Sequence, residues 1–151
     1  MAERRTTVSG DRGAKAEAEA IWVHVDPETR RPLRLPPEFE RIYGPSAGER
    51  RPRSSLRHPS TPPADAERLE WSFGRSKIDL AGHVSNLWYW EVAEEYLDLS
   101  ALATGGAVLE AEFRSGIGHG PAIVHRSGSM LWISDPGGTV AGTLSVGRSG
   151  S

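Results

Sequence analysis

Hydrophobic and polar positions alternate in five short segments of the chain, and a period of two residues predicts strands. The first segment is 17–25, whose second half is rich in β-branched and aromatic residues. Four more follow later in the chain, at 68–75, 107–114, 123–134 and 139–147. Gly-rich sequences separate the last three segments, and GIGHGP and SDPGG predict hairpin connections there.

Two segments have helical features instead. A short helix is predicted over 36–44, where Pro begins the segment, acidic residues follow and Gly ends it. A long helix is predicted from about Ser85 to Leu99, because Tyr89, Val92, Ala93 and Tyr96 recur at helical spacing. A strand, a long helix and then three long antiparallel strands predict an α+β fold in which a curved sheet wraps one long central helix.

The chain divides into four regions by composition. We predict a disordered tail over 1–15, a strand and its connection over 16–44, a Pro/Arg/Ser linker over 45–65 and an ordered domain over 66–148. The arginines of the linker allow two interpretations, a basic binding patch or a solvated connector. We favour the connector, since the Pro and Ser content is typical of a spacer.

Charge and residue usage exclude several classes of function. The net charge of −2 and pI of about 6.2 give no reason to expect a nucleic-acid partner. No apolar run approaches the ~20 residues that span a bilayer, and the N-terminus lacks the apolar core of a signal peptide. The absence of cysteine excludes disulfides and thiolate chemistry and fits a cytoplasmic location. Histidine spacing predicts no metal site, and no cofactor motif is present.

An aspartate, a glycine and a histidine precede the long helix, within KIDLAGHVSN at 77–86. In one interpretation Ser85 or Asn86 caps the helix and Asp79 only favours the positive end of its dipole. In the other, the Asp79 carboxylate faces the free N–H groups near Asn86. A carboxylate beside such donors is suited to attack on an acyl group, directly or through water. Asp79 lies some six residues before the helix, and Gly82 allows close backbone approach, which favours the second interpretation.

The stretch SKIDLAGHVSNLWYWEVAEEYL at 76–97 resembles the entry to the central helix in hotdog-fold acyl-acyl-carrier-protein (acyl-ACP) thioesterases. The family pattern is approximately R-x-S-D-x-D-x-N-x-H-V-N-N-x-x-Y, and it is matched here by Arg75, Ser76, Asp79, His83, Val84, Asn86 and Tyr89. LEAEFR at 109–114 and WVHVDPETRRPLRLP at 22–36 resemble two other segments of these double-hotdog enzymes. The resemblance implies that 16–44 is the remnant of a preceding hotdog and that 66–148 is the C-terminal hotdog half.

Three positions depart from the acyl-ACP thioesterase pattern. Lys77 replaces its first aspartate, Ala81 replaces its asparagine, and Gly116 stands where an ungapped alignment places a catalytic glutamate. The sequence around Asp79 is also similar to that of smaller hotdog proteins of the 4-hydroxybenzoyl-CoA thioesterase type. In that group the matching aspartate is the main catalytic carboxylate.

The resemblance implies a hydrolase that releases fatty acid from acyl-ACP or acyl-CoA. Asp79 would be base or nucleophile, His83 would orient water, and the helix start near Asn86 would hold the oxyanion. Gly82, Tyr89 and Trp90 would contact the substrate. The alternatives are a catalytically degenerate hotdog that binds acyl chains or pairs with a partner, favoured by Ala81 and Gly116, and a hotdog hydratase or dehydratase. The expected partners are the acyl thioester and either a second copy or a missing hotdog half, without membrane insertion.

Overall fold

The computed structural model describes residues 1–26, 28–29, 31–47 and 55–148, which fall into two units that meet in sequence at Ser55 and Leu56. The N-terminal unit contains a hairpin of β1 (Ala2–Ser9) and β2 (Lys15–Trp22), with Ala2 opposite Trp22 and Ser9 opposite Lys15. Most of its residues are exposed. None of the described helices is long and apolar enough to cross a membrane.

The hairpin differs from the disordered tail that the sequence predicted over 1–15. Thr6, Thr7 and Val8 are β-branched and suit an extended backbone, and Gly13 adopts a φ of 82° in the turn. An ion pair between Arg5 and Glu19 joins the two strands. The pairing therefore uses charges and β-branched residues, which the hydrophobic pattern did not detect.

The short helix of this unit, α1, spans Pro37–Ala47 and runs three residues beyond the predicted segment of 36–44. Acidic Glu38 and Glu40 lie in its first turn, near the positive end of the helix dipole. The predicted linker over 45–65 falls partly outside the described residues, since 48–54 are not among them.

The C-terminal unit is built on one antiparallel sheet. Its strands are β3 (Glu67–Phe73), β4 (Ala107–Phe113), β5 (Gly120–Ser127), β6 (Met130–Ser134) and β7 (Val140–Arg148). They lie side by side in the order β3-β5-β6-β7-β4, with every neighbouring pair antiparallel. GIGHGP was wrongly predicted as a hairpin connection, because β4 and β5 are not neighbours and this segment crosses between them. SDPGG does join the paired strands β6 and β7.

The predicted single strand over 123–134 is two strands, β5 and β6. Ser127 pairs with Met130, which leaves Gly128 and Ser129 as a two-residue turn. Gly128 adopts a φ of 55°, the left-handed conformation that such tight hairpin turns require. The Ser-Gly-Ser sequence is therefore a reversal of the chain and not a local softening of one strand.

The prediction of one long central helix from Ser85 to Leu99 is also wrong. A 3₁₀ turn over Asn86–Trp88 leads into α2 (Tyr89–Tyr96), and α3 (Ser100–Thr104) is a separate short helix. Leu97 is extended and buried, and the Asp98 carboxylate accepts a hydrogen bond from the Ser100 N–H at 2.9 Å. This local hydrogen bond stabilises the turn that separates the two helices, and α3 begins at Ser100 directly after it.

The core lies between α2 and one face of the sheet. Tyr89, Val92 and Ala93 of the helix are buried there. The buried apolar residues that complete this core are Phe73, Val84, Leu97, Ile117, Ala122, Val124, Leu131, Ile133, Ala141 and Leu144. The alternation predicted for three of the strands is confirmed, because Phe73, Ala111 and Leu144 all belong to or pack against this core.

The opposite face of the sheet is covered by the segment that follows Leu56. The His58 ring contacts two hydroxyls of β7, with Nδ1 2.9 Å from Thr143 Oγ1 and Nε2 3.2 Å from Ser145 Oγ. Trp132 donates its indole N–H to the Pro59 carbonyl at 2.9 Å. This part of the predicted linker is therefore fastened to the sheet by hydrogen bonds, and it differs from a solvated spacer.

Candidate functional site

The residues singled out before the helix form a small closed loop. Ile78 and Val84 pair as an isolated antiparallel bridge, and the Asp79 N–H donates to the His83 carbonyl at 2.8 Å. Gly82 donates back to the Asp79 carbonyl at 3.1 Å and adopts a φ of 78°. A residue with a side chain rarely adopts this conformation, so Gly82 is needed to close the loop.

The Asp79 carboxylate is exposed and holds this same loop with one of its two oxygens. Oδ1 accepts hydrogen bonds from the N–H groups of Ala81 at 2.8 Å and His83 at 3.3 Å. No described residue donates a hydrogen bond to Oδ2. Asp79 therefore closes its own loop instead of capping the helix, and its second oxygen is open to solvent or to a ligand.

The His83 ring packs against the backbone of Gly116 in the β4–β5 connection. A Cβ atom built at Gly116 would lie 2.4 Å from Cγ and Cδ2 of that ring and 2.6 Å from Nδ1. The Val84 N–H donates to the Ile117 carbonyl at 2.8 Å beside this contact. The structure thus brings together His83 and Gly116, two positions 33 residues apart in sequence that the family resemblance had singled out separately.

At the helix start, the N–H groups of Asn86 and Leu87 differ from the two that follow. The Trp88 N–H donates to the Ser85 carbonyl at 2.9 Å, and the Tyr89 N–H donates to the carbonyls of Asn86 and Leu87. In the part of the chain that the structure describes, the N–H groups of Asn86 and Leu87 have no acceptor. Asn86 is exposed, so a negatively charged oxygen has access to the start of the helix.

Tyr89 is a core residue. Its side chain is 2% exposed, and its ring lies 5.8 Å from the Phe73 ring and 5.1 Å from the Phe113 ring, between centroids. Burial raises the pKa of its hydroxyl to about 12. Tyr89 therefore holds α2 to the sheet, and the structure gives no support to its predicted contact with substrate.

Trp90, the next residue of α2, is only partly buried against the core. It lines a shallow open groove of about 320 Å³ together with Leu87, Trp88, Glu91 and Glu94. Leu87 is 65% exposed, so the groove has an apolar wall that reaches solvent. The sequence prediction joined Tyr89 and Trp90 in one acyl site, but adjacent helical residues are rotated by about 100°. Tyr89 is buried in the core, whereas Trp90 is partly buried against that core and also lines the groove.

Lys77 takes part in the structure around this groove in a way that the sequence did not predict. Its ammonium lies 3.4 Å from the centroid of the Trp88 ring and 2.8 Å from Oε2 of Glu91. The side chain is 19% exposed, so both contacts are partly shielded from water. Lys77 therefore holds the Trp88 ring beside Glu91 of the helix.

Histidine and carboxylate side chains are the candidate ligands for a metal centre in this chain. Within the described ranges, no three His, Asp or Glu side chains approach one another closely enough to hold a metal ion. Three other histidines belong to different parts of the chain. His24 follows β2, His58 lies on the outer face of the sheet, and His125 belongs to β5. The candidate chemistry is confined to 79–87.

Comparison with known proteins gives a likeness in structure alone. No protein-family model matches the chain, and no curated protein matches its sequence. A crystal structure from Lactobacillus plantarum, designated an oleoyl thioesterase, superposes with a TM-score of 0.67 at 16% sequence identity. The alignment covers 97% of this chain and 62% of the length of that one.

The likeness is one of fold. An antiparallel sheet with few helices is common to both chains, and at this identity no residue role transfers by similarity. The expected thioesterase-like architecture is confirmed at that level, whereas the particular acyl-ACP thioesterase family is not.

The buried hydroxyl of Tyr89 predicts a loss of stability in alkali. The unfolded tyrosine ionises near pH 10, whereas the folded one has a pKa of about 12. Between these values only the unfolded state releases its proton, so the free energy of unfolding falls as pH rises. Tyr89→Phe should reduce this fall by about 1–2 kcal/mol, allowing for partial solvent screening.

Urea unfolding at pH 9, 10, 11 and 12 measures the effect. Tyr43→Phe is the matched control, since it removes the same hydroxyl from a tyrosine that is 54% exposed. Equal profiles for the wild type and Tyr89→Phe would show that the Tyr89 hydroxyl is not buried in the folded protein.

Proposed function

We propose that this chain is a hotdog thioester hydrolase that releases a fatty acid from acyl-ACP or acyl-CoA. Two observations support the proposal: Asp79 and His83 share one hydrogen-bonded loop directly before a helix start whose Asn86 and Leu87 N–H groups have no acceptor among the described residues, and the fold is thioesterase-like. A general base, a water-orienting group and an oxyanion donor are the three functions that thioester hydrolysis requires.

In the proposed reaction the Asp79 carboxylate removes a proton from water through its free Oδ2. The resulting oxygen nucleophile attacks the thioester carbonyl carbon, whose oxygen becomes negatively charged beside the N–H groups of Asn86 and Leu87. The carbon–sulfur bond then breaks, and the thiolate receives the proton. His83 orients the attacking water. The products are one carboxylic acid and one thiol, and Asp79 as a direct nucleophile reaches the same products through an acyl intermediate that water hydrolyses.

The acyl chain is assigned to the outer groove lined by Leu87, Trp88 and Trp90. Leu87, whose N–H is one of the two proposed oxyanion donors, also lines this groove, and it is 65% exposed. The core side of the helix is filled by Tyr89, which leaves Trp90 as the candidate for substrate contact. Gly82 keeps the loop before the helix compact through its positive φ.

A catalytically degenerate acyl-binding module is the second candidate function. The observation that favours it is the absence of any side chain at Gly116, where the family pattern has a carboxylate, together with Ala81 in place of an asparagine. Such a module would retain the groove and release no thiol.

We further propose that the chain functions as a pair of hotdog units. Among the described strands, β3 and β4 each pair with one neighbour only, and the hairpin of the N-terminal unit is exposed. Long exposed edges favour pairing with another strand. Either a second copy or another hotdog half would satisfy them.

Asp79→Asn tests the catalytic role of the carboxylate. The amide oxygen can still accept the two loop hydrogen bonds, but the amide cannot remove a proton from water. We expect turnover to fall by about 100-fold with little change in melting temperature. Thiol release from oleoyl-CoA and from an oleoyl-carrier protein measures the reaction, and a parallel enoyl-CoA assay detects hydration.

Asp98→Asn is the control for this substitution, because Asp98 is an exposed aspartate that also accepts a backbone hydrogen bond. It should retain full activity. Undiminished thiol release by Asp79→Asn would exclude Asp79 as base or nucleophile, and an inactive wild type that binds acyl-CoA would favour the degenerate module.

Light scattering at several concentrations tests the pairing. The exposed edges predict a mass of at least twice 16.4 kDa at concentrations where thiol release is measured. An active species that stays at 16.4 kDa over the whole range would contradict the pairing proposal.

A further inference from the structure

The contact between Gly116 and His83 leaves no room for a side chain at position 116. A Cβ atom there would approach three ring atoms of His83 to 2.6 Å or less, where real Cβ atoms essentially never lie. The His83 side chain is partly buried in this position, and the backbone of Gly116 forms one wall of its surroundings. The ring occupies the space that a larger residue at 116 would fill.

Both sides of this contact are fastened to the rest of the C-terminal unit. The N–H groups of Arg114 and Ser115 donate to the Ala141 carbonyl at 2.8 and 3.2 Å, which ties the segment before Gly116 to β7. Ile117, directly after Gly116, is 3% exposed and accepts the Val84 N–H bond at 2.8 Å. A backbone shift that accommodated a side chain at 116 would have to break these hydrogen bonds or expose Ile117.

The His83 side of the contact is restrained as well. The His83 N–H donates to Asp79 Oδ1, and its carbonyl accepts the Asp79 N–H at 2.8 Å. Since the backbone at 83 is held by the loop, the ring can avoid a new Cβ atom only by rotating about its own side-chain bonds. Rotation would carry the imidazole away from its present position.

We infer that Gly116 is a positioning residue for His83, and this inference rests on the proposed function. The missing side chain at 116 is then a requirement of the site and not a sign of degeneracy. The site has one carboxylate, Asp79, and one imidazole, His83, which takes the space where the family pattern has a second carboxylate. Gly116→Glu would displace the imidazole and lower activity, although it restores the family residue.

Gly116→Ala tests the inference against Gly118→Ala. Gly118 lies two residues away in the same connection, has nothing within 4 Å of its Cβ position and has no positive φ. Gly116→Ala should lower kcat by about 100-fold with KM changed little, as expected when a reacting group is misplaced by about 1 Å. Gly118→Ala should match the wild type in both constants.

The His83 imidazole signal in ¹H–¹³C NMR, assigned with His83→Ala, provides a readout that does not depend on activity. Gly116→Ala should move this signal and Gly118→Ala should not. In a His83→Ala background, Gly116→Ala should have no further effect on kcat, because the ring it displaces is absent. If Gly116→Ala alone fails to fold, the double variant should fold, since the obstructing ring is gone.

An unmoved His83 signal in Gly116→Ala would overturn the inference. The inference would also be overturned if Gly116→Ala lowered kcat by the same factor in the His83→Ala background as in the wild type. Failure of the double variant to fold would overturn it too. A wild type without thiol release would instead contradict the proposed function, and the NMR comparison would still decide whether Gly116 positions His83.

Discussion

The packing of one aromatic ring between both edges of the sheet is the constraint on which the C-terminal unit depends. Tyr89 contacts Phe73 on edge strand β3 and Phe113 on edge strand β4. In a flat five-stranded sheet these edges would be about 19 Å apart, since neighbouring strands are spaced by about 4.8 Å. One ring can contact both only if the sheet curves around the helix. Gly142 in β7 makes the approach possible, because a Cβ atom there would lie 2.8 Å from Tyr89 Cε1.

This packing also determines where the candidate chemistry lies. Tyr89 is the first residue of α2, so the 3₁₀ turn at Asn86 and the loop at 78–84 extend from a fixed point. The β4–β5 connection, which crosses the sheet directly after Phe113, brings Gly116 to the His83 ring. The exposed loop is therefore held by core packing on one side and by the crossing connection on the other. Its catalytic role is a proposal, whereas its position follows from the fold.

The sequence predicted features that depend on local pattern and missed those that depend on distant contacts. Alternation located β3, β4 and β7, and the aspartate and histidine were assigned to one segment because they lie in one loop. The split after Tyr96 lies at the extended Leu97 and the turn held by Asp98, and the reversal at Gly128 has a single positive φ. Neither changes the hydrophobic period enough to be detected in one sequence.

The contacts of the site were less accessible than the fold. No periodicity relates His83 to Gly116 or His58 to Thr143, because these pairs meet only after the sheet has formed. Tyr89 and Trp90 were assigned to one substrate site from their proximity in sequence, although Tyr89 is buried in the core and only Trp90 lines the groove. Gly116 was interpreted as a missing catalytic group, and its packing role became visible only from the ring beside it.

The unfolding free energy of Gly142→Ala, compared with Gly147→Ala, tests the central claim most directly. Both glycines lie in β7 and neither has a positive φ, but only Gly142 faces the Tyr89 ring, whereas Gly147 has open space around its Cβ position. In urea titrations the account predicts that Gly142→Ala loses about 1–3 kcal/mol through overpacking and that Gly147→Ala is within about 0.5 kcal/mol of the wild type. Equal stability of the two variants would contradict the claim that Tyr89 packed on Gly142 holds the sheet around the helix.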